Sequence, residues 1–208
     1  MEPPQTKYPS ELACALDALV VRRRQLSDNI VDEKNRLEHS DPSTNIFIND
    51  HIEFLEDQIA EIDTELSKLT KNDERLNNLY QLLRSMKGVG PVLAYTIIAQ
   101  LPEIGTYTKG AIASLVGVAP HTNDSGRYRG KRSIFGGRRN LRKVLYMAAL
   151  SSLREPGHLK SLYTRLVVKG KPKKVAIVAV MRKMLVTLNA MVRTSTNWDR
   201  LQNSVEPA

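Results

Sequence analysis

The chain has 208 residues, a formal net charge of +9 and a single cysteine, Cys14. One cysteine excludes an internal disulfide, and four histidines far apart with no cysteine partners lack the spacing of a metal site. No uninterrupted apolar run is long enough to span a bilayer, and the start of the chain lacks the features of a signal peptide. We therefore expect a cytoplasmic protein without a membrane partner, and Cys14 as a small core residue on an apolar helix face.

Charge divides the chain into an acidic and a basic half. Residues 1–86 carry 10 Lys and Arg against 17 Asp and Glu, a net charge of −7, and residues 87–208 carry 21 against 5, a net charge of +16. Cations docked on phosphates release condensed counterions and give salt-dependent binding that needs no base contacts. The basic half is therefore predicted to bind nucleic acid, although a solvated basic face would carry the same charge.

Heptad spacing characterises the acidic half. From Ser10, a candidate N-cap, apolar residues recur in alternating steps of four and three, which predicts an amphipathic helix. Polar residues at 39–45 break this helix. The same spacing returns after Asp50 and runs to Leu83, with Asp73 as its one polar intrusion.

Two helices joined by a short link are expected to pack antiparallel. We predict a coiled-coil hairpin over residues 10–85, after a disordered start at 1–9. The seam could instead form one side of an interface with another protomer, and the sequence leaves both arrangements open. Because a narrow hairpin buries little surface alone, we also expect a homo-oligomer that forms through these helices.

A glycine-containing turn follows the heptads. Gly88 and Gly90 permit a tight reversal between helices, and Pro91 suits a first helical position. The pattern is typical of a helix-hairpin-helix, predicted over 73–101, in which backbone N–H groups of the second helix face a phosphate. Lys87 lies beside the turn and favours this interpretation. The alternative is an ordinary helix–helix turn, since Gly-x-Gly is a weak signal.

A run of cations then follows a Ser-Gly turn at Ser125, within a loop predicted at 119–137. Between Asp124 and Glu155 the chain has no acidic residue. The cations of this interval are Arg127, Arg129, Lys131, Arg132, Arg138, Arg139, Arg142, Lys143 and Arg154. Such a surface is expected to meet phosphate, with Ser125 at its edge.

Four of these cations lie near the start of a helix predicted at 138–153. Cations at a helix N-terminus oppose the macrodipole, which indicates that an incoming anion offsets the cost. Gly136 and Gly137, just before the helix, could allow a close backbone approach. The residues predicted to bind nucleic acid are Lys87, Gly88, Gly90, Arg127, Arg129, Lys131, Arg132, Arg138, Arg139, Arg142 and Lys143.

The fold class predicted from these elements is all-α: the long hairpin, then a compact helical domain at 86–193. The other helices of this domain are predicted at 91–101, 109–118, 158–168 and 173–193. The lysine-rich link at 169–174 is either a second backbone-contacting patch or a solvated loop. In the tail, 194–208, Trp198 is a candidate anchor.

Several ordered motifs resemble the C-terminal domain of bacterial insertion-sequence transposases related to the Piv invertase, the "IS one-ten" family, and most closely its "IS eleven-eleven" branch. The motifs extend from about Met86 to Arg193. They are Gly88-Val89-Gly90-Pro91, Leu101-Pro102-Glu103-Ile104-Gly105, Leu115-Val116-Gly117-Val118-Ala119-Pro120, Ser125-Gly126, Gly130-Lys131-Arg132, Gly136-Gly137-Arg138 and Leu141-Arg142-Lys143-Val144-Leu145-Tyr146-Met147.

The resemblance implies a DNA recombinase with two catalytic parts. Family members carry an N-terminal RuvC-like nuclease domain with four acidic residues that bind divalent metal, and a C-terminal domain with a nucleophilic serine, which Ser125 matches. DNA is joined through a serine-linked 5'-phosphate, a structured RNA from the element guides the choice of target and donor, and several protomers assemble the site. The implied partners are DNA of the element ends and of the target, and a guide RNA, in a nucleoid-associated protein.

One departure from the family is expected to matter. The sequence enters the heptad region almost at once, and no acidic residue matches the four of the nuclease domain. We therefore expect no metal site in this chain, with Mg²⁺ required only alongside that domain. The chain is predicted to be the serine-bearing, DNA-binding portion of a transposase. The alternatives are a non-catalytic DNA- or RNA-binding fragment that regulates or inhibits full-length transposase, and a basic structural or ribosome-associated protein.

Overall fold

A computed structural model describes residues 10–121 and 133–199. Throughout these residues the regular elements are helices, so the predicted all-α class is confirmed. In chain order they are α1 (Glu11–Leu37), a 3-10 turn (Pro42–Thr44), α2 (Asn45–Asn72), α3 (Glu74–Arg84), α4 (Pro91–Gln100), α5 (Lys109–Val116), α6 (Arg139–Ser152), α7 (His158–Val168) and α8 (Lys173–Thr194).

The chain divides into two compact units, Met1–Asn77 and Asn78–Ala208. Unit 1 carries 9 Lys and Arg against 17 Asp and Glu, a net charge of −8, and unit 2 carries 22 against 5, a net charge of +17. The boundary between the units therefore nearly coincides with the boundary in charge. The predicted disordered start at 1–9 lies outside the described residues.

In unit 1, α1 packs against α2 within the chain. Arg23 pairs with Asp63 at 2.6 Å and Lys34 with Glu56 at 3.1 Å, so positions advance along one helix as they retreat along the other. The apolar contact between them is formed by Leu26, Ile30, Ile48, Ile52 and Leu55. Pairing of these helices with another protomer stays a prediction.

Two details of unit 1 differ from the sequence predictions. Cys14 is exposed rather than buried, because the buried positions of this part of α1 are Leu16 and Val20. The second heptad helix is not continuous, since the backbone of Asp73 is extended and its carboxylate accepts a hydrogen bond from Leu76 N–H at 2.9 Å. Asp73 thus ends α2 and caps α3, as a carboxylate near a helix start commonly does.

In unit 2, α8 forms the centre of the core. It packs against α5, α6 and α7, while α4 packs against α6. Ten of its side chains are buried, among them the polar Asn189. Asn189 accepts a hydrogen bond from Gly105 N–H at 2.8 Å and donates one to the Tyr107 carbonyl at 2.9 Å, which ties α8 to the loop before α5.

By length and mean hydropathy α8 alone among the described helices could cross a membrane. More than half of its most apolar window is buried inside unit 2, the behaviour of a core helix. Trp198 lies against the same core and its backbone N–H donates to Ser85 Oγ at 3.2 Å, so the predicted anchor of the tail is confirmed.

Candidate nucleic-acid interface

The segment that carries Ser125 starts and ends at one place in unit 2. The His121 N–H donates to the Ser133 carbonyl at 2.9 Å, and the Ser133 N–H donates back to the His121 carbonyl at 3.3 Å. Two paired ends fix where the intervening segment leaves and rejoins the fold. The predicted nucleophile and four predicted phosphate-binding residues lie outside the described residues: Ser125, Arg127, Arg129, Lys131 and Arg132.

Two glycine turns, one before His121 and one after Ser133 in the chain, come into backbone contact. Gly117 ends α5 in the left-handed region (φ 76°), and Gly137 precedes α6 in the same region (φ 68°). A Cβ built on Gly137 would lie 2.4 Å from Gly117 N, far inside contact distance. The close backbone approach predicted before this helix is therefore present, and its partner is Gly117, a residue that sequence reasoning did not single out for this role.

Arg142 bridges the two turns. Its Nη1 donates to the Gly117 carbonyl at 3.3 Å and to the Gly136 carbonyl. One guanidinium in the first turn of α6 thus holds both glycine turns, a use that suits the several donors of arginine. Arg142 was predicted to bind nucleic acid, and the structure gives it protein partners.

Arg138, just ahead of α6, is also engaged within the protein. Its two terminal nitrogens bond the two carboxylate oxygens of Glu103, at 2.6 and 2.5 Å. The hydrogen bonds from Arg138 lower the pKa of Glu103 below its ordinary value of 4.5 and outweigh its partial burial. The same bonds raise the pKa of Arg138. Glu103 is the one carboxylate between Glu74 and Asp124, a signal in the sequence that could have indicated a structural partner.

Arg139 and Lys143 lie differently. Both are exposed, and they are one turn apart on α6, so their side chains project from the same helix face. The first turn of α6 has no acidic residue and no side-chain cap. Phe135, four residues before Arg139, is 63% exposed, and its ring lies 4.4 Å from the ring of His121. Neither aromatic residue was among the predicted site residues.

The turn between α3 and α4 brings Lys87, Gly88 and Gly90 together. Gly88 is left-handed (φ 88°), and a Cβ there would lie 2.6 Å from Ser152 Cβ on α6. Gly90 has ordinary dihedral angles (φ −83°, ψ 172°) and open space where its Cβ would be. Lys87 is 72% exposed and lies 3.9 Å from Glu155. Gly88 therefore serves packing, whereas the backbone at Gly90 stays accessible beside the start of α4.

A pocket of about 230 Å³ adjoins this turn. Its lining includes Lys87, Gly88, Ser152, His158 and Trp198. Within residues 10–121 and 133–199, no group of three or more His, Cys, Asp or Glu side chains could hold a metal ion. The part of the chain that the structure describes does not fit the divalent-metal site of the family's nuclease domain, so no step below uses a metal.

Comparison with known proteins identifies a related family. Residues 80–164 match the transposase family described as IS116/IS110/IS902. Over these residues the chain is similar to this transposase family. The resemblance identified from the motifs is thereby confirmed, while its narrower branch stays a prediction.

Individual relatives of the transposase family extend the match along the chain. The pilin gene-inverting protein of Moraxella bovis is 28% identical over 203 residues, which are 95% of this chain and 63% of that protein. The insertion element IS116 uncharacterized 44.8 kDa protein of Streptomyces clavuligerus is 30% identical over 145 residues, 67% of this chain and 34% of that protein. The chain thus spans less than two thirds of the length of these relatives.

Proposed function

We propose that this chain is the nucleic-acid-binding, serine-bearing portion of an insertion-sequence transposase that acts in DNA transposition. The observation that carries the proposal is the backbone pairing of His121 with Ser133, the two residues between which the segment with Ser125 begins and ends. Ser133 lies six residues before the exposed Arg139 at the start of α6, and His121, Ser133 and Arg139 all fall within the residues that match the family.

In the proposed reaction, the Ser125 hydroxyl attacks the phosphorus of a DNA phosphodiester. A bond forms between serine oxygen and the 5'-phosphate, the bond from phosphorus to the 3'-oxygen breaks, and that oxygen takes up the proton. A serine hydroxyl attacks a phosphodiester poorly unless the developing negative charge is neutralised. Arg127, Arg129, Lys131 and Arg132 are the proposed source of that neutralisation.

The four cations at 138–143, in and just before the first turns of α6, divide into two proposed roles. Arg138 binds Glu103, and Arg142 binds the carbonyls of Gly117 and Gly136. These two arginines are proposed to act by positioning the backbone that leads into and out of the serine segment. Arg139 and Lys143 are exposed and contact DNA phosphates directly. The division follows from the exposure of Arg139 and Lys143 and from the hydrogen bonds that Arg138 and Arg142 make.

The α3–α4 turn is proposed to act as the phosphate-contacting turn of a helix-hairpin-helix. Open space at Gly90 leaves room for a phosphate against the backbone at the start of α4. Pro91 at the first helical position and exposed Lys87 support the same role. This contact would bind DNA without reading its sequence.

The proposed partners are DNA of the element ends and target, a guide RNA and further copies of the chain that assemble through α1 and α2. The proposed location is the cytoplasm, on nucleoid DNA. The partners of the whole transposase are taken from the family resemblance. The charge of +17 on unit 2 supports the nucleic-acid partners.

Recombination of a plasmid that carries the element ends tests the nucleophile, with the chain supplied together with a RuvC-like nuclease domain of a family member. Ser125→Ala is expected to abolish recombination while DNA binding persists. Ser133→Ala is the matched control, because Ser133 contributes backbone groups to the bridge and should keep activity. Recombination by Ser125→Ala at the parent level would show that Ser125 is not the nucleophile.

The non-catalytic alternative requires only a nucleic-acid-binding surface, and the exposed cations Arg139 and Lys143 are consistent with one. It predicts that the chain inhibits an intact family transposase, that inhibition survives Ser125→Ala, and that it disappears when Arg139 and Lys143 are neutralised. Reconstituted recombination that depends on Ser125 contradicts this alternative.

A further inference from the structure

The most exposed aromatic side chain described in unit 2 is Phe135. It is 63% exposed, compared with 42% for Tyr107. Its ring contacts the His121 ring at 4.4 Å with an angle of 48° between the planes, so the two rings form one aromatic surface. Single exposed apolar side chains are common and carry no meaning alone. The surroundings of this ring distinguish it.

The backbone around Phe135 is held on both sides. Ser133 is bridged to His121, the carbonyl of Gly136 accepts a hydrogen bond from Arg142, and the N–H of Arg138 donates to the Leu115 carbonyl at 3.1 Å. An aromatic ring on a fixed backbone loses little conformational entropy when a flat partner stacks on it. The ring is therefore preorganised for contact although it lies at the surface.

The charge beside the ring selects the kind of partner. Arg139 follows Phe135 by four residues, about 14 Å of extended chain at most, and Lys143 continues the same exposed face of α6. From Ser125 to Arg154 the sequence has no acidic residue. An aromatic surface next to cations, with no carboxylate in the interval, has the composition of sites that bind single-stranded nucleic acid.

We propose that Phe135, supported by His121, stacks on an unpaired base of the bound nucleic acid while Arg139 and Lys143 contact the flanking phosphates. A base inside a duplex is covered by its neighbours, so only an unpaired or displaced base offers a free face. The proposal rests on the proposed nucleic-acid function and adds the class of its ligand: a single-stranded or locally unpaired segment.

Binding of the full chain to a mixed-sequence single-stranded oligonucleotide, and to the duplex of the same sequence, across a salt series tests the proposal. Phe135→Leu removes the aromatic face and keeps an apolar side chain, whereas Phe135→Trp keeps an aromatic face. We expect Phe135→Leu to weaken single-strand binding about tenfold with an unchanged salt slope. Duplex binding by Phe135→Leu, and single-strand binding by Phe135→Trp, should equal those of the parent. Thermal unfolding confirms that each variant is folded.

The outcomes separate this inference from the proposed function. Parent-level single-strand binding by Phe135→Leu, or an equal loss on duplex and single strand, overturns the stacking role alone. Loss of self-association by Phe135→Leu in sedimentation, with binding unchanged, shows that the ring contacts a second copy and also overturns it. A parent protein without salt-sensitive binding to either probe overturns the proposed function together with the inference.

Discussion

At the scale of single residues, the cations at 138–143 show that the charge of a side chain does not by itself indicate what the side chain binds. Arg138 and Arg142 were predicted to bind phosphate. In the structure Arg138 binds Glu103, and Arg142 binds two glycine carbonyls. Glu103 and Gly117 are distant in sequence from the arginines that bind them, so neither of these two pairings follows from local spacing. Arg139 and Lys143 remain exposed and continue to fit the predicted role.

The Arg138–Glu103 pair gives a pH-dependent prediction. Because its folded-state pKa is lowered, Glu103 contributes stability in full above its ordinary pKa of 4.5, and this contribution is lost as pH falls through the lowered value. Glu103→Gln is expected to cost about 1 kcal/mol of unfolding free energy at pH 7, a charged hydrogen bond discounted for partial exposure, and much less near pH 3.

Urea unfolding of both proteins at the two pH values measures this difference. Glu155→Gln is the matched control, because its 3.9 Å pair with Lys87 is exposed on both sides and should contribute little at either pH. A Glu103→Gln penalty that stays constant from pH 7 to pH 3 would contradict the assigned ion pair.

At the scale of elements, local signals placed most helices well. The side chain of Ser10 caps α1, Pro91 begins α4, and α7 has the predicted bounds, because caps and prolines act on the residues next to them. The break at Asp73 was missed, since heptad spacing continues across it and only the backbone angles reveal the end of α2. The contact between Gly117 and Gly137 joins two distant turns, so no local pattern could predict it.

The two glycines of the α3–α4 turn should respond oppositely to an added methyl group. Gly88→Ala is expected to destabilise the fold by about 2 kcal/mol or more, because a left-handed backbone and a 2.6 Å contact with Ser152 both oppose a Cβ. Gly90→Ala meets open space with ordinary dihedral angles, so stability should stay unchanged or rise slightly.

If the backbone at Gly90 contacts a phosphate, Gly90→Ala should weaken DNA binding about tenfold while the fold stays intact. Thermal unfolding and binding to duplex DNA are measured on both variants. Parent-level binding by a folded Gly90→Ala protein would contradict the helix-hairpin-helix role and leave an ordinary turn between two helices.

At the scale of the whole molecule, charge and structure divide the chain at nearly the same place. Unit 1 is acidic and forms the paired helices α1 and α2, and unit 2 is basic and contains every predicted site residue that the structure describes. The all-α class and the charge division could be predicted from sequence because both follow from composition and periodicity. The pairing of His121 with Ser133 and the contact of Gly117 with Gly137 could not, since each joins residues far apart in the chain.

The measurement that tests the central claim most directly is the salt dependence of binding to element-end DNA. The full chain, the Arg139→Gln/Lys143→Gln variant and a charge-matched Lys34→Gln/Lys68→Gln variant in unit 1 are compared, with unrelated duplex as competitor. We expect steep salt dependence for the parent, a slope lower by about 2 for the unit 2 variant and an unchanged slope for the unit 1 variant. Equal slopes for all three proteins, or a parent that does not bind, would contradict the assignment of unit 2 as the nucleic-acid-binding part of the transposase.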